Sequence, residues 1–259
     1  MLQISNLRKV FNPSTVNEKV ALDNVSLKIE DGEFVTVIGS NGSGKTTLLN
    51  MIAGVYEADL GTIALNGIDL TRMPEYKRAA HIGRVFQDPM KGTCGSMTVI
   101  ENMAMGRRRG KRPGFGWGTG EDEPEFYKEA LKKLDLSLEE RINTKIGLLS
   151  GGQRQAITLL MATLKKPDLL LLDEHTAALD PKTAAKVLQL TKNLVEDSKI
   201  TTLMITHNMK DALALGNRLI MMHEGRVILD VKGEEKSKLS VEDLLRKFEG
   251  LAEDKILLA

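Results

Sequence analysis

The chain has 259 residues, enough for one large domain or two small ones, and 42% of them are hydrophobic, which excludes a disordered protein. Lysine and arginine total 36 against 35 aspartate and glutamate residues, so the net charge of +1 lacks the positive excess that is typical of nucleic-acid-binding proteins. The single cysteine, Cys94, excludes a disulfide framework, and no apolar run approaches the roughly 20 residues of a transmembrane helix.

Alternating apolar residues at the N-terminus predict an antiparallel hairpin. Apolar side chains recur at about every second position over residues 2–10 and again over residues 21–29, and the segment 12–15 between them, Asn-Pro-Ser-Thr, is turn-forming. The short apolar run 34–38 then predicts a fully buried strand, which a glycine-rich loop connects to a helix over residues 45–53.

From residue 34 onward, predicted strands and helices alternate, which indicates a mostly parallel sheet. The apolar patterns predict further strands over residues 61–65, 82–86, 169–172 and 200–205, helices over 125–134, 153–164, 182–195 and 241–248, and a closing hairpin of strands 219–222 and 227–230. The segment 107–124 is rich in glycine and arginine and contains Trp117, so we predict a mobile loop there.

Residues 39–46 have the phosphate-loop pattern, Gly-Ser-Asn-Gly-Ser-Gly-Lys-Thr, between a predicted buried strand and a predicted helix. Glycines let backbone amides surround phosphate oxygens, and the helix start adds the positive end of its dipole. Lys45 is placed to meet the β- and γ-phosphates, and the Thr46 hydroxyl to bind Mg²⁺. The predicted nucleotide-binding residues of this segment are Gly39, Ser40, Asn41, Gly42, Ser43, Gly44, Lys45, Thr46 and Thr47.

The apolar run 169–172 ends in two acids, Asp173 and Glu174. In phosphate-loop enzymes an acid at such a strand end provides the second protein contact to Mg²⁺, a role that suits Asp173. Glu174 could position or deprotonate an attacking water. A strand that ends at an acidic turn is common by itself, so this interpretation depends on the phosphate loop upstream.

The sequence Leu-Ser-Gly-Gly-Gln at residues 149–153 opens a predicted helix. Ser150 could be a plain helix cap and the glycines a plain turn. Alternatively, the segment is a second helix start that can hold phosphate. Because one chain cannot easily direct two such loops at one phosphate tail, the second interpretation implies that a partner chain supplies this loop.

Together these features resemble the nucleotide-binding subunits of ATP-binding cassette (ABC) transporters, whose signature sequence is Leu-Ser-Gly-Gly-Gln. The resemblance runs from residue 2 to about residue 230. It rests on residues 39–46, Gln87 in Val-Phe-Gln-Asp, residues 149–153, Asp173-Glu174, Ala178-Leu179-Asp180 and His207 in Ile-Thr-His.

The fold implied by this resemblance is α/β: a phosphate-loop NTPase core with a mostly parallel sheet, an N-terminal antiparallel β subdomain and a helical signature subdomain. A single ABC ATPase domain would then span residues 1–259. The helical subdomain is expected at about 88–165, and a C-terminal helix at about 240–258.

The resemblance also implies a role for each motif position in an ATPase that uses ATP and Mg²⁺. Residues implied in catalysis are Lys45, Gln87, the base Glu174 and the γ-phosphate contact His207. Residues implied around Mg²⁺ are Thr46, Gln87 and Asp173. Residues implied to complete the site of a second ABC subunit, in a head-to-tail homodimer, are Ser150, Gly151, Gly152, Gln153 and Asp180.

Phe11 sits where the family places an aromatic side chain under adenine, and a core phenylalanine is the alternative. Two other positions depart from the family pattern. His175 stands where a proline is usual, as a spacer or as a residue that tunes the base. Ala156 replaces a usual arginine, which should cost a surface contact and no catalytic group.

Exporters of the family usually carry a glutamate in the loop just before the signature sequence, and the segment 143–148 has no acidic residue there. No membrane span is fused to the cassette either, so the chain resembles bacterial importer subunits. The implied partners are a transmembrane permease and a solute-binding protein, without nucleic acid, and the implied location is the cytoplasmic face of the cell membrane. The implied solute is a small molecule such as an amino acid, for example an aromatic one. A soluble ABC ATPase of the iron–sulfur assembly type and an exporter subunit are the alternatives.

Residues 88–105 lie where the family docks a coupling helix of the permease. Their soft side chains suit an adaptable apolar groove or, equally, core packing. They are Met90, Cys94, Met97, Met103 and Met105. The basic run 107–112 could contact lipid head groups or nucleic acid, although a solvated loop balanced by the acids at 121–123 is the favoured interpretation.

Overall fold

Two β-sheets form the framework of the protein. A computed structural model describes residues 1–111 and 123–248. The strands are β1 (Leu2–Phe11), β2 (Lys19–Ile29), β3 (Phe34–Gly39), β4 (Leu60–Leu65), β5 (Ile68–Asp69), β6 (Ile82–Val85), β7 (Leu169–Asp173), β8 (Thr202–Ile205), β9 (Arg218–His223) and β10 (Arg226–Lys232). The helices are α1 (Lys45–Ala53), α2 (Glu75–Arg78), α3 (Val99–Arg107), α4 (Glu123–Lys132), α5 (Gly151–Leu164), α6 (Pro181–Ser198), α7 (Met209–Ala214), α8 (Glu234–Ser237) and α9 (241–248).

The smaller sheet is the antiparallel N-terminal sheet that the apolar alternation predicts. Its strand order is β2-β1-β4-β5. In the hairpin of β1 and β2, Leu2 lies opposite Ile29 and Ile4 opposite Leu27, and all four side chains are buried in the main core. The alternating apolar face therefore sets the register of the hairpin, as expected for a sheet with one solvated face.

The larger sheet has the strand order β10-β9-β3-β8-β7-β6 and is parallel except for the β9–β10 hairpin. Its central strands are apolar on both faces, because α1 and the N-terminal sheet cover one face and α5 and α6 cover the other, and residues 169–172 of β7 are completely buried. This confirms the predicted α/β fold. Since parallel strands end at one edge, the phosphate loop after β3, Asp173 at the end of β7 and His207 after β8 lie along the same edge.

A second hydrophobic core lies among α3, α4 and α5, and its fully buried members include Met103, Tyr127, Leu131 and Ile157. Helix α3 was not predicted, because its apolar residues show no clear helical period. The capping box formed by Thr98 and Glu101 is the local signal for its start. The predicted C-terminal helix 240–258 can be compared only over 241–248, because residues 249–258 lie outside the described part of the chain.

The predicted bounds of the loop 107–124 are wrong at both ends. Arg107 is the last residue of α3, and Glu123 is the first of α4. The Arg107 guanidinium lies 4.3 Å from the centre of the Phe126 ring, and Arg108 donates a 3.0 Å hydrogen bond to Glu123. Residues 112–122, which include Trp117, lie outside the described residues.

Cations cap the carboxyl ends of three helices, and two of them, Arg78 and Lys236, are buried while Arg109 is half-buried. Arg78 Nη1 donates to the carbonyls of Met51 and Ile52 at the end of α1, at 2.7 and 2.9 Å. Arg109 donates to two carbonyls at the end of α5, and Lys236 to two carbonyls that follow α7. The partial negative charge of a helix carboxyl end stabilises these cations in place of a carboxylate. Burial still lowers the pKa of Lys236, to about 8.

We expect the substitution Arg78→Met to lower the free energy of unfolding by about 2–3 kcal/mol, because it removes the side-chain donors to the carbonyls of Met51 and Ile52 at the end of α1 and to that of Met73. Urea unfolding followed by circular dichroism measures the change. Lys77→Met is the matched control, since Lys77 is exposed on the same short helix. Equal stability of the two variants would contradict a capping role for Arg78.

Candidate nucleotide-binding site

The phosphate loop connects the buried strand β3 to helix α1. Gly44 caps this helix with φ of 100°, and a Cβ atom there would lie 2.5 Å from the carbonyl oxygen of Ala21, so only glycine fits. The first amides of a helix have no partner within the helix. They can therefore bind phosphate oxygens at the positive end of the helix dipole.

Lys45 places a cation in the middle of this loop. Its side chain is 6% exposed, and Nζ donates to the carbonyls of Gly39 and Ser40 at 2.9 Å each. Burial lowers the pKa of Lys45, while the negative charges of Glu174 and Asp173 act in the opposite direction. The ammonium group is thus close to both acids at the end of β7.

Thr46, Gln87 and Asp173 line one cleft of about 640 Å³. Their hydroxyl, amide and carboxylate oxygens are hard donors of the kind that Mg²⁺ prefers. Among residues 1–111 and 123–248, no group of three or more His, Cys, Asp or Glu side chains could hold a metal ion. This donor set still fits Mg²⁺, which at phosphate sites usually takes one or two carboxylates and completes its shell with phosphate and water. Burial raises the pKa of Asp173, and the nearby Arg84 opposes that shift.

Glu174 and His207 approach each other from the ends of β7 and β8. The distance from His207 Nδ1 to Glu174 Oε2 is 3.4 Å, and the Glu174 side chain is 22% exposed. Glu174 has a left-handed backbone with φ of 43°, and its amide donates to the carbonyl of Ile205 on β8. Such strained positions often lie at functional sites, where the surrounding structure holds them.

Phe11 lies at the end of β1 and is partly exposed, which argues against the core alternative. It lines a small cleft with the phosphate-loop residues 42–47. The ring of Tyr56 packs edge-on against it, with ring centres 5.2 Å apart, and Lys9 Nζ lies 5.7 Å from the Phe11 ring centre. The exposed remainder of the Phe11 ring can stack on a base.

The signature residues line a different cleft, of about 490 Å³, together with residues of α6. Ser150 is a helix cap, since its hydroxyl accepts a hydrogen bond from the amide of Gln153, and the Ser150 amide donates one to Oε1 of the Gln153 side chain. Gly151 and Gly152 are the first residues of α5 rather than a separate turn. The amides of Gly151 and Gly152 belong to the same helix start and can still bind an anion.

Asp180 caps α6 as Ser150 caps α5. Hydrogen bonds from the hydroxyl and amide of Thr183 lower the pKa of Asp180. His175 is 2% exposed, and its Nε2 lies 2.9 Å from Thr191 Oγ1 on α6. Burial lowers the pKa of His175 to about 4, so the imidazole is neutral at physiological pH. This arrangement favours the spacer interpretation of His175.

Two predictions about packing have mixed outcomes. The expected surface position of Ala156 is wrong, because Ala156 is completely buried in the second core. Of the soft residues in 88–105, Met103 is completely buried, whereas Met90 and Met105 are 50% and 55% exposed. Met103 therefore belongs to the core packing, whereas Met90 and Met105 contribute to an accessible surface.

Sequence reasoning missed three residues of the site, namely Tyr56, Arg84 and Gln155. The buried amide of Gln155 on α5 donates to the carbonyl of Phe86, next to Gln87. Arg84 lies on β6 beside Asp173. A charged residue inside a short apolar strand is the signal that could have found Arg84, whereas the contact between Tyr56 and Phe11 has no local signal because 45 residues separate them.

No helix in the described part of the chain is long and apolar enough to cross a membrane. Residues 22–177 match the family described as ABC transporter. The tyrosine transport ATP-binding protein of Clostridioides difficile is 48% identical over 249 residues, which cover 96% of this chain and 99% of that protein. The spermidine/putrescine import ATP-binding protein PotA of Haemophilus influenzae is 36% identical over 89% of this chain, and the match spans 57% of PotA.

Among solved structures, the ATP-binding cassette MJ0796, in a dimeric post-hydrolysis state bound to ADP and Pi, has a TM-score of 0.76 and 32% identity. The match covers 90% of this chain and 98% of the cassette. Both the family match and the fold therefore agree with the motifs along the sheet edge. The chain belongs to the ABC transporter family and is one of its ATP-hydrolysing cassettes.

Proposed function

We propose that this cassette is the energy-coupling subunit of a membrane importer for an amino acid, with tyrosine and related aromatic amino acids as the first candidates. The observation that carries the proposal is the 48% identity to a tyrosine transport ATP-binding protein over 99% of its length. A polyamine importer subunit is more distant, at 36% identity and 57% coverage.

In the proposed mechanism, the phosphate-loop amides and Lys45 bind the triphosphate of ATP, and Phe11 stacks on adenine. Thr46, Gln87 and Asp173 are the residues that would hold Mg²⁺, which would neutralise phosphate charge when bound. Lys45 exchanges its present carbonyl acceptors for phosphate oxygens, at little cost because both partners are hydrogen-bond acceptors.

Glu174 is the proposed base. A water molecule attacks the γ-phosphorus, the bond from that phosphorus to the bridging oxygen of ADP breaks, and Glu174 accepts the proton that the water loses. His207 lies 3.4 Å from Glu174 on the same side of the sheet edge. It is therefore placed to contact the γ-phosphate and to hold Glu174 in position.

Ser150, Gly151, Gly152, Gln153 and Asp180 act in the site of a second copy in this proposal. Their helix starts lie beside one another, since a Cβ on Gly152 would lie 2.0 Å from Thr183 Cγ2. Ser150, Gly152 and Gln153 line a cleft apart from the phosphate loop of their own chain. The dimeric state of the related cassette MJ0796 supports a dimer, and the head-to-tail arrangement is part of the proposal.

The proposed partners are a transmembrane permease and a solute-binding protein, which place the cassette at the cytoplasmic face of the membrane. The exposed side chains of Met90, Met105 and Leu148 offer apolar surface next to the signature helix for the permease. A soluble ABC ATPase is the competing function, and the similarity to named transport subunits favours the importer.

The substitution Lys45→Ala should weaken ATP binding at least about tenfold, because it removes the charge-assisted hydrogen bonds to the phosphates. Isothermal titration calorimetry with ATP and Mg²⁺ measures the dissociation constant. Lys210→Ala, an exposed position on α7, is the control. An unchanged affinity in the Lys45 variant would remove this lysine from the phosphate site.

We expect Glu174→Gln to retain ATP binding, to hydrolyse ATP about 10²–10⁴-fold more slowly and to accumulate as an ATP-bound dimer, because the amide cannot accept the proton of water. Phosphate release and size-exclusion chromatography with light scattering measure turnover and mass. Glu196→Gln, on the exposed face of α6, should behave as the unaltered protein. Normal turnover in the Glu174 variant would exclude this residue as the base.

The transport assignment is tested with tagged Glu174→Gln protein and MgATP in detergent-solubilised native membranes, with Lys45→Ala protein as the control. We expect mass spectrometry to identify a multispan permease. ATP hydrolysis by a complex reconstituted from that permease, its solute-binding protein and the unaltered cassette should then respond to tyrosine and not to spermidine. Recovery of soluble partners alone would favour a soluble ABC ATPase, and a response to spermidine alone would overturn the amino-acid assignment.

A further inference from the structure

Arg84 is a buried cation at the nucleotide-binding edge that has no role in the mechanism above. It lies near the end of β6, opposite Leu171 of β7, two residues before Asp173. Its side chain is 13% exposed and that of Asp173 is 14% exposed, so water screens the two charges weakly.

Three groups surround the Arg84 guanidinium. Nη2 donates a 2.6 Å hydrogen bond to the Asn50 side chain on α1, and the same nitrogen lies 3.7 Å from Asp173 Oδ2. The guanidinium carbon lies 4.5 Å from the centre of the Phe86 ring, directly before Gln87. One side chain thus connects the phosphate-loop helix, the acidic end of β7 and the segment that carries Gln87.

A purely structural role would predict different contacts. The buried guanidinium of Arg78 donates to backbone carbonyls through all three of its nitrogens. Arg84 instead directs Nη2 at two side chains of the nucleotide edge, Asn50 and Asp173. The buried Nε atoms of Arg84 and Arg109 both have no hydrogen-bond partner in the described structure, so the side-chain contacts of Nη2 are what distinguish Arg84 from the arginines that bind carbonyls.

Of the two cations beside Asp173, Arg84 is the one that faces its carboxylate. Lys45 directs its ammonium group at the phosphate-loop carbonyls, whereas Arg84 Nη2 lies 3.7 Å from Asp173 Oδ2. A planar guanidinium can contact two partners in a fixed geometry, which a lysine ammonium cannot reproduce.

We propose that Arg84 is a positioning residue of the magnesium–nucleotide site, which fixes the Asp173 carboxylate relative to Asn50 of α1 and so preorganises the residues that would hold Mg²⁺. This inference rests on the proposed role of Asp173. It concerns the metal-dependent part of ATP binding and leaves the contacts of the phosphate loop unchanged.

The test compares Arg84→Met and Arg84→Lys with the unaltered protein. A fluorescent, non-hydrolysable ATP analogue is titrated with excess Mg²⁺ and again with EDTA. The readout is the dissociation constant in EDTA divided by the dissociation constant in Mg²⁺. We expect both variants to reduce this ratio about tenfold, the lower end of the effect of losing a residue that orients a metal ligand. The dissociation constant in EDTA should stay within about twofold, because the phosphate loop is intact.

Asn50→Leu tests the same arrangement from the side of α1. It should reduce the ratio in the same direction, and its effect should not add to that of Arg84→Met, because both remove one connected unit. Arg109→Met is the matched control for loss of a partly buried arginine and should leave the ratio unchanged, since within residues 1–111 and 123–248 the Arg109 side chain donates to the carbonyls of Ala162 and Lys165. Thermal unfolding without nucleotide should show Arg84→Met to be at least as stable as the unaltered protein.

The outcomes separate this inference from the proposed function. If Mg²⁺ does not strengthen binding of the analogue to the unaltered protein, the proposed metal role of Asp173 fails. If Mg²⁺ does strengthen it, and both Arg84 variants retain the ratio or bind Mg²⁺ more tightly, only the positioning role of Arg84 is overturned. Normal behaviour of Arg84→Lys alone would also overturn it, because positive charge without the planar geometry would then suffice.

Discussion

Burial of a positive charge against the carboxyl end of a helix recurs throughout this cassette, and the rest of the structure depends on it. Helices α1, α5 and α7 each begin at a loop with a proposed role in nucleotide binding, and each ends on a buried or half-buried cation, Arg78, Arg109 or Lys236. The carbonyls that accept these hydrogen bonds are the negative ends of the helix dipoles. The cations therefore fix the far ends of the helices whose starts face phosphate.

The amino end of α1 has no side-chain cap and is free to meet a negatively charged ligand, whereas Ser150 caps α5 and Asn208 caps α7. The strands complete the geometry, because parallel strands bring the phosphate loop, Asp173 and His207 to one edge without a long connection between them. The signature helix α5 instead begins in the cleft beside α6. The division between residues that act in their own site and residues proposed to act in a partner's site is thus built into the topology.

Much of this organisation could be predicted from local patterns. The buried strand, glycine loop and helix around Lys45 occur where the sequence predicts them, as does the N-terminal hairpin, because hydrophobic periodicity and glycine chemistry are local. Contacts between distant segments could not be predicted. The packing of Tyr56 on Phe11, the approach of Arg84 to Asp173 and the burial of Ala156 all depend on which elements become neighbours in the fold.

The short segment from Glu174 to Asp180 has a mechanical consequence. Glu174 is fixed by its amide hydrogen bond to Ile205, Asp180 is fixed as the cap of α6, and the turns at Ala177 and Leu179 close the chain between them. These hydrogen bonds restrict the movement of residues 174–180 relative to one another. In the proposed dimer, Glu174 at one end of this segment would act in its own site and Asp180 at the other end would contact the site of the partner. A shift of the segment would then change both sites together.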